Sequence, residues 1–99
     1  MKTETYQGWT NYQTWNVALY INNEFPIYKT ACEWVRDRID SGYESLSYDT
    51  FRHTLTELFG PKTMDGVRWD DETIDHQELT EMLHELVWVL LLVTSKAPL

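Results

Sequence analysis

The chain has 99 residues, of which 42% are hydrophobic and 14% aromatic, and its 16 acidic residues against 8 basic ones leave a net charge of −8. That is apolar material enough for one domain over residues 1–99, with residues 1–9 loose ahead of the first helical pattern. The negative field disfavours direct contact with nucleic acid or an anionic membrane, and the partner it attracts is a protein with a basic surface.

The acid is unevenly placed. Residues 1–64 hold 8 acids and 6 bases, whereas residues 65–99 hold 8 acids and 2 bases. The start of the chain lacks the apolar region of a secretory signal, and the longest apolar run, 86–93, is far below the ~18 residues that a membrane span needs. A cytoplasmic location, in a bacterium or an infected host cell, is the expectation. The single Cys32 has no partner for a disulfide, zinc or redox motif, and its default place is a buried thiol.

In chain order, Thr10 and Gln13 fit a capping box and Asn11 is also a good cap, so a first helix starts near 11–13 and ends at Asn22 or Asn23. Pro26 suits the first turn of a second helix, whose apolar residues Ile27, Ala31, Trp34, Val35 and Ile39 keep helical spacing until Gly42. Glu33, Arg36, Asp37 and Asp40 form its solvated face. Ser47 caps a third helix, with Tyr48, Phe51, Leu55, Leu58 and Phe59 as its apolar stripe and Gly60-Pro61 as its stop. Asp65-Gly66 marks a tight turn or small hairpin from which Val67 and Trp69 fold back on the core. Asp75 as N-cap, Glu78 at N3 and an Ile74–Leu79 staple open a fourth helix that runs to about Thr94. The fold class is therefore all-α: a compact bundle of about four helices with a long loop or small hairpin before the last.

The first helix is apolar nearly all round, which makes it the candidate central helix. Its second stripe, Tyr12, Asn16, Tyr20 and Asn23, carries amides and phenols that need partners if buried. Two readings stand. Asn16 fixes a neighbouring loop such as 63–69, or Tyr12, Asn16 and Tyr20, with Trp69 opposite, line a small polar ligand pocket.

The residues Asn11, Tyr12, Thr14, Trp15, Asn16 and Val17, followed later by Asp65, Gly66, Val67 and Trp69, resemble a family of small proteins of unknown function found in phages, cyanobacteria and other bacteria. Its members show an Asn-Tyr-x-Thr-Trp-Asn-Val opening and an Asp-Gly-Val-x-Trp segment; here Met64 stands where the family has Pro. The resemblance implies an intracellular, phage-related accessory protein whose two motifs meet in space, and it carries no activity.

Catalytic patterns are weak. His76 and His84 are eight residues apart and do not share a helix face, so no zinc pair is expected. Asp70, Asp71, Glu72 and Asp75 lack the alternating ligands and central Gly of a calcium loop, and complement a helix dipole instead. No phosphate-binding loop or nucleophile elbow occurs. No cofactor, metal or catalytic residue is assigned.

The fourth helix carries the strongest functional signal. Leu79, Met82, Leu83, Leu86, Leu90 and Val93 make one core stripe, while the opposite face runs from Glu81, His84 and Glu85 into Trp88 and Leu92. Glu78, Glu81 and Glu85 have no Lys or Arg at i±3 or i±4, so they oppose rather than support the helix by a few tenths of a kcal/mol each. An aromatic anchor with an acidic rim suits a protein-binding face. It is covered by the 5–9 segment or by Pro61 and its neighbours, by a second copy in a homodimer, or by a foreign partner. The leading expectation is a non-catalytic acidic protein of phage type, an accessory or inhibitor protein that docks on a host protein, with DNA mimicry as one form. Glu78, Glu81, Glu85, Trp88 and Leu92, with Asp70, Asp71 and Glu72, form its surface. The alternatives are a small-molecule module at Tyr12, Asn16, Tyr20 and Trp69, and a metal-dependent enzyme using the 70–75 carboxylates.

Overall fold

The computed structural model describes residues 5–43 and 46–95, the side chains of 91–95 excepted. Four helices follow one another, α1 (Tyr12–Asn23), α2 (Phe25–Asp40), α3 (Tyr48–Phe59) and α4 (His76–Ser95), and the described residues contain no strand. The chain is the all-α bundle expected of its apolar spacing.

Each start has a local cause. Asn11, in extended backbone, accepts the N–H of Thr14 on its side chain at 2.9 Å and so caps α1, which leaves Thr10 free for another use. Glu24 alone separates α1 from α2. Its N–H bonds Tyr20 O, ending one helix, and its carbonyl accepts from Ile27 and Tyr28, beginning the next. Pro26 sits in that first turn, where a missing N–H costs nothing. Ser47 caps α3 through Thr50, and Gly60 stops it at φ 85° and ψ −179°, a backbone conformation that only glycine adopts without strain.

α2 and α4 each touch the other three helices, whereas α1 touches only those two. The expected central position of α1 is therefore corrected: its apolar girth is shared between a buried face, Val17, Ala18 and Ile21, and half-buried Trp15, Leu19 and Tyr20. Ile27, Ala31 and Val35 of α2, Phe51 and Leu55 of α3, and Leu79, Met82, Leu83, Leu86 and Val87 of α4 complete the core. Leu58, expected in the α3 stripe, is exposed, because at 100° per residue it falls at the rim of the arc centred on Tyr48, Leu55 and Phe59. Cys32 is half-buried, not buried, beside Tyr28. Val93 lies outside the described side chains.

The loop from Gly60 to Asp75 is where the bundle is closed. A single antiparallel bridge, Lys62 to Arg68, pinches it. Inside the pinch the N–H of Gly66 bonds Thr63 O at 2.9 Å and the N–H of Thr63 bonds Val67 O at 2.8 Å, a reversal that holds Gly66 at φ 91°. Trp69 is only 1% exposed. Its indole Nε1–H donates to Gly60 O at 2.8 Å, its backbone N–H to Pro61 O at 3.1 Å, and its carbonyl accepts the Tyr48 hydroxyl at 2.6 Å. Burial drives the Tyr48 phenol well above its ordinary pKa, so it remains a donor at any accessible pH.

Candidate functional site

The two motif segments meet. Asn16 is fully buried; its Oδ1 accepts the Thr63 hydroxyl at 2.7 Å, and its Nδ2 donates to Asp65 Oδ2 at 2.8 Å, with Tyr12 Oη at 3.4 Å. The Thr63 Oγ1 in turn accepts the N–H groups of Asp65 and Val67, both at 3.2 Å. The amide is spent on the turn that it orders, which leaves it nothing to offer a ligand. Tyr20 lies by the same carboxylate, and burial, followed by the charge of Asp65, raises its phenol above the usual value. Tyr12 turns outward and packs its ring against Tyr6 and Trp15, with centroids 5.3 and 5.6 Å away. A cavity of about 250 Å³ does open nearby, with Tyr20 and Trp69 among its walls but neither Tyr12 nor Asn16. That cavity thus takes in two of the four residues.

A second set of bonds ties the start of α1 to the start of α4. Asp75 caps α4 by accepting the N–H of Glu78 at 3.1 Å, as its position implies. Glu78 does not reciprocate. It accepts the N–H of Thr10 at 2.9 Å, while the N–H of Asp75 goes to Thr14 Oγ1 at 2.9 Å. The Thr10 hydroxyl donates to Asp75 Oδ2 at 2.9 Å, and Asn11 Nδ2 to Thr73 O at 2.6 Å. The capping box is therefore closed between helices and not within one, which accounts for Asn11 and Thr14 in the first motif.

This clasp has a pH signature. The N–H of Glu78 first, then the Thr10 hydroxyl, hold the Asp75 carboxyl below its ordinary pKa. A lowered folded pKa contributes stability that is complete above the unfolded value of about 3.9 and is lost as pH falls through the folded one. We expect Asp75→Asn to lower stability at pH 6 and to flatten the decline between pH 5 and 2, read from urea midpoints; an unchanged acid limb counts against the clasp.

On the outside of α4, Glu81, Glu85 and Trp88 are exposed, with Trp88 at 70%. Among the described residues, no salt bridge reaches Glu78, Glu81 or Glu85. The 5–9 segment leaves Trp88 open. It reverses at Gln7-Gly8, where both φ values are positive, and the bridge from Tyr6 to Trp9 holds it closed. Trp9 then borders a groove of about 390 Å³, with Met82, Leu86 and Val89 as apolar lining and Glu78, Glu81 and Glu85 as acidic lining. Sequence reasoning named the acids but missed Trp9 and Val89. The Gln-Gly reversal was the available signal for the first, and the 100° offset of Val89 from Trp88 for the second. The Leu92 side chain lies outside the described residues.

The acids at 70–72 are mostly used within their own loop. Arg68 pairs with Asp70 at 2.9 Å and, by its hydrogen bond, holds that carboxyl below its usual pKa. Asp71 accepts the N–H of Thr73 at 2.8 Å, and Glu72 is exposed. Among the described residues no group of three His, Cys, Asp or Glu side chains is placed to hold a metal ion. His76 lies 3.7 Å from Asp49, and the ring Nε2 of His84 sits 3.1 Å from Leu46 O, where it donates, since a carbonyl only accepts.

Fold and surface together define a small acidic all-α protein with a polar clamp inside and an acid-and-aromatic strip outside. The chain belongs to the Family of unknown function (DUF7249), whose model matches residues 2–90, a span that includes both motif segments and the whole of the clasp. No curated protein and no solved structure matches it.

Proposed function

We propose that the protein acts by binding and not by catalysis: an accessory or inhibitor protein of phage type that docks on a basic surface of a host protein through the outer strip of α4. One observation carries the reading. Trp88 is 70% exposed on the same strip as Glu81 and Glu85, whose charges meet no cation among the described residues. A solvated tryptophan and uncompensated acids add nothing to a folded monomer, whereas burial of the ring and pairing of the acids in a complex supply both an anchor and orientation. Glu78, Glu81 and Glu85 recur at about 4.5 and 6 Å along the axis, a row of negative charge that suits DNA mimicry. Asp71 and Glu72, with Asp70 partly neutralised by Arg68, extend the negative field beyond the N-terminal end of α4. The reading places the protein in the cytoplasm of a bacterium or an infected cell. No helix among the described residues is long and apolar enough to cross a membrane.

The test is affinity capture from host lysate by the parent protein and by a Glu81→Lys, Glu85→Lys, Trp88→Ala variant, at low and moderate salt. Because all three positions are exposed, the variant keeps its helix content. A protein held by the parent, lost by the variant and weakened as the Debye length contracts to about 10 Å at 0.1 M salt is the expected result. Equal capture by both overturns the surface assignment. Sedimentation of the parent alone identifies a second copy of the chain as the occupant if the strip pairs with itself.

A further inference from the structure

We propose that the cavity between the α1–α2 junction and the 60–69 loop binds a free aromatic amino acid, at a site separate from the α4 strip. The cavity measures about 250 Å³, and its walls are the rings of Tyr20, Phe59 and Trp69 with Pro26 and Ile27. An apolar protein cavity of about 150 Å³ accommodates benzene, so this one takes a ring with a short side chain attached. That volume lies below the ~300 Å³ at which sites for drug-sized ligands begin.

The lining also contains Glu24 and Lys62, and these select the tail. Both are exposed, and neither side chain has an ion-pair partner among the described residues. Glu24 does not use its carboxylate to cap α2, although it occupies the N-cap position. One unpaired anion and one unpaired cation flanking an apolar hole match an α-ammonium and an α-carboxylate on a single carbon. The overall charge of −8 argues in the same direction, since it opposes an aromatic carboxylic acid without a compensating ammonium group. Met64, 88% exposed and part of the lining, supplies a flexible thioether that adapts to the ring.

The experiment is a titration of the isotope-labelled protein, followed by the indole N–H resonance of Trp69 and the amides of Lys62 and Thr63. The probes are L-phenylalanine, phenylacetate, phenethylamine and L-alanine. L-phenylalanine is expected to give saturable shifts with a Kd of about 1 mM or tighter, as its size allows. Phenylacetate and phenethylamine bind more weakly, and L-alanine does not shift these signals. Lys62→Glu, at an exposed position, weakens L-phenylalanine by roughly fivefold and leaves phenethylamine no weaker. Ile27→Trp fills the cavity and abolishes the shifts, provided that its circular dichroism matches the parent. Absence of a saturable response to L-phenylalanine in the parent overturns the proposal, as does equal binding of the amino acid and either of its single-charge analogues.

Discussion

Replacing Asn16 with alanine is expected to lower stability by about 3 kcal/mol, because it strips partners from two groups at once, one of them charged. The Thr63 hydroxyl loses its acceptor and Asp65 loses its buried donor. For a domain of this size that loss appears as a fall in Tm on the order of 12–24 °C. Asn16→Asp keeps the shape but sets a second carboxylate against Asp65, so it is the worse substitution at pH 7 and recovers in part on acidification. A Thr63→Val change made in the Asn16→Ala background costs less than it does alone, with a coupling of roughly 0.5–3 kcal/mol in a double-mutant cycle. Strict additivity, or loss of less than 1 kcal/mol on Asn16→Ala, would show that the clamp holds nothing.

Trp69→Ala carries the other large effect, a loss of about 3–5 kcal/mol from the burial given up and the cavity left behind. Trp69→Phe separates the contributions. It retains most of the ring and removes the bond from Nε1 to Gly60 O, for an expected cost of about 1–2 kcal/mol, read from the shift in urea midpoint. Both variants leave Gly60 O, just past the end of α3, without its indole donor, and the alanine variant also removes the ring beside it, whereas the Tyr48 hydroxyl keeps its bond to the backbone carbonyl of residue 69. Hydrogen exchange of the amide of Gly60, which bonds Thr56 O, should accelerate more than that of Leu55 at the centre of the same helix.

The helices were legible because each is announced by local chemistry. Asn11, Ser47 and Asp75 cap α1, α3 and α4 through their own side chains, and Pro26 opens α2. Glu78 shows where local reading stops. Its spacing from Asp75 implies a reciprocal bond within α4, yet its carboxylate goes to Thr10, which is 68 positions earlier, because a tertiary donor lies in reach. Asn16 was legible as a group in need of partners, and both of its readings remained open until Thr63 and Asp65 were placed beside it. The central role expected of α1 failed for a related reason: an apolar helix can divide its girth between deep burial and half-cover by tyrosine and tryptophan rings. On α4 the exposure of Trp88 follows from an angle that the sequence contains. Which groove Trp9 borders depends on the reversal at Gln7-Gly8, a matter of two backbone angles.

The clasp between Thr10, Asn11 and Thr14 and the residues from Thr73 to Glu78 bears on how the chain folds as it is made. Its partners stand 61 to 68 positions apart. During synthesis at roughly 5–20 residues per second, α1 leaves the ribosome several seconds before its partners exist. Through most of that interval Asn16 lacks Thr63 and Asp65, on a helix with an apolar face that also awaits α4. The bonds that fix the start of α1 therefore cannot all form until residue 78 has emerged. A chain stalled ahead of Thr73 exposes the start of α1 without any of the partners that hold it in the finished fold.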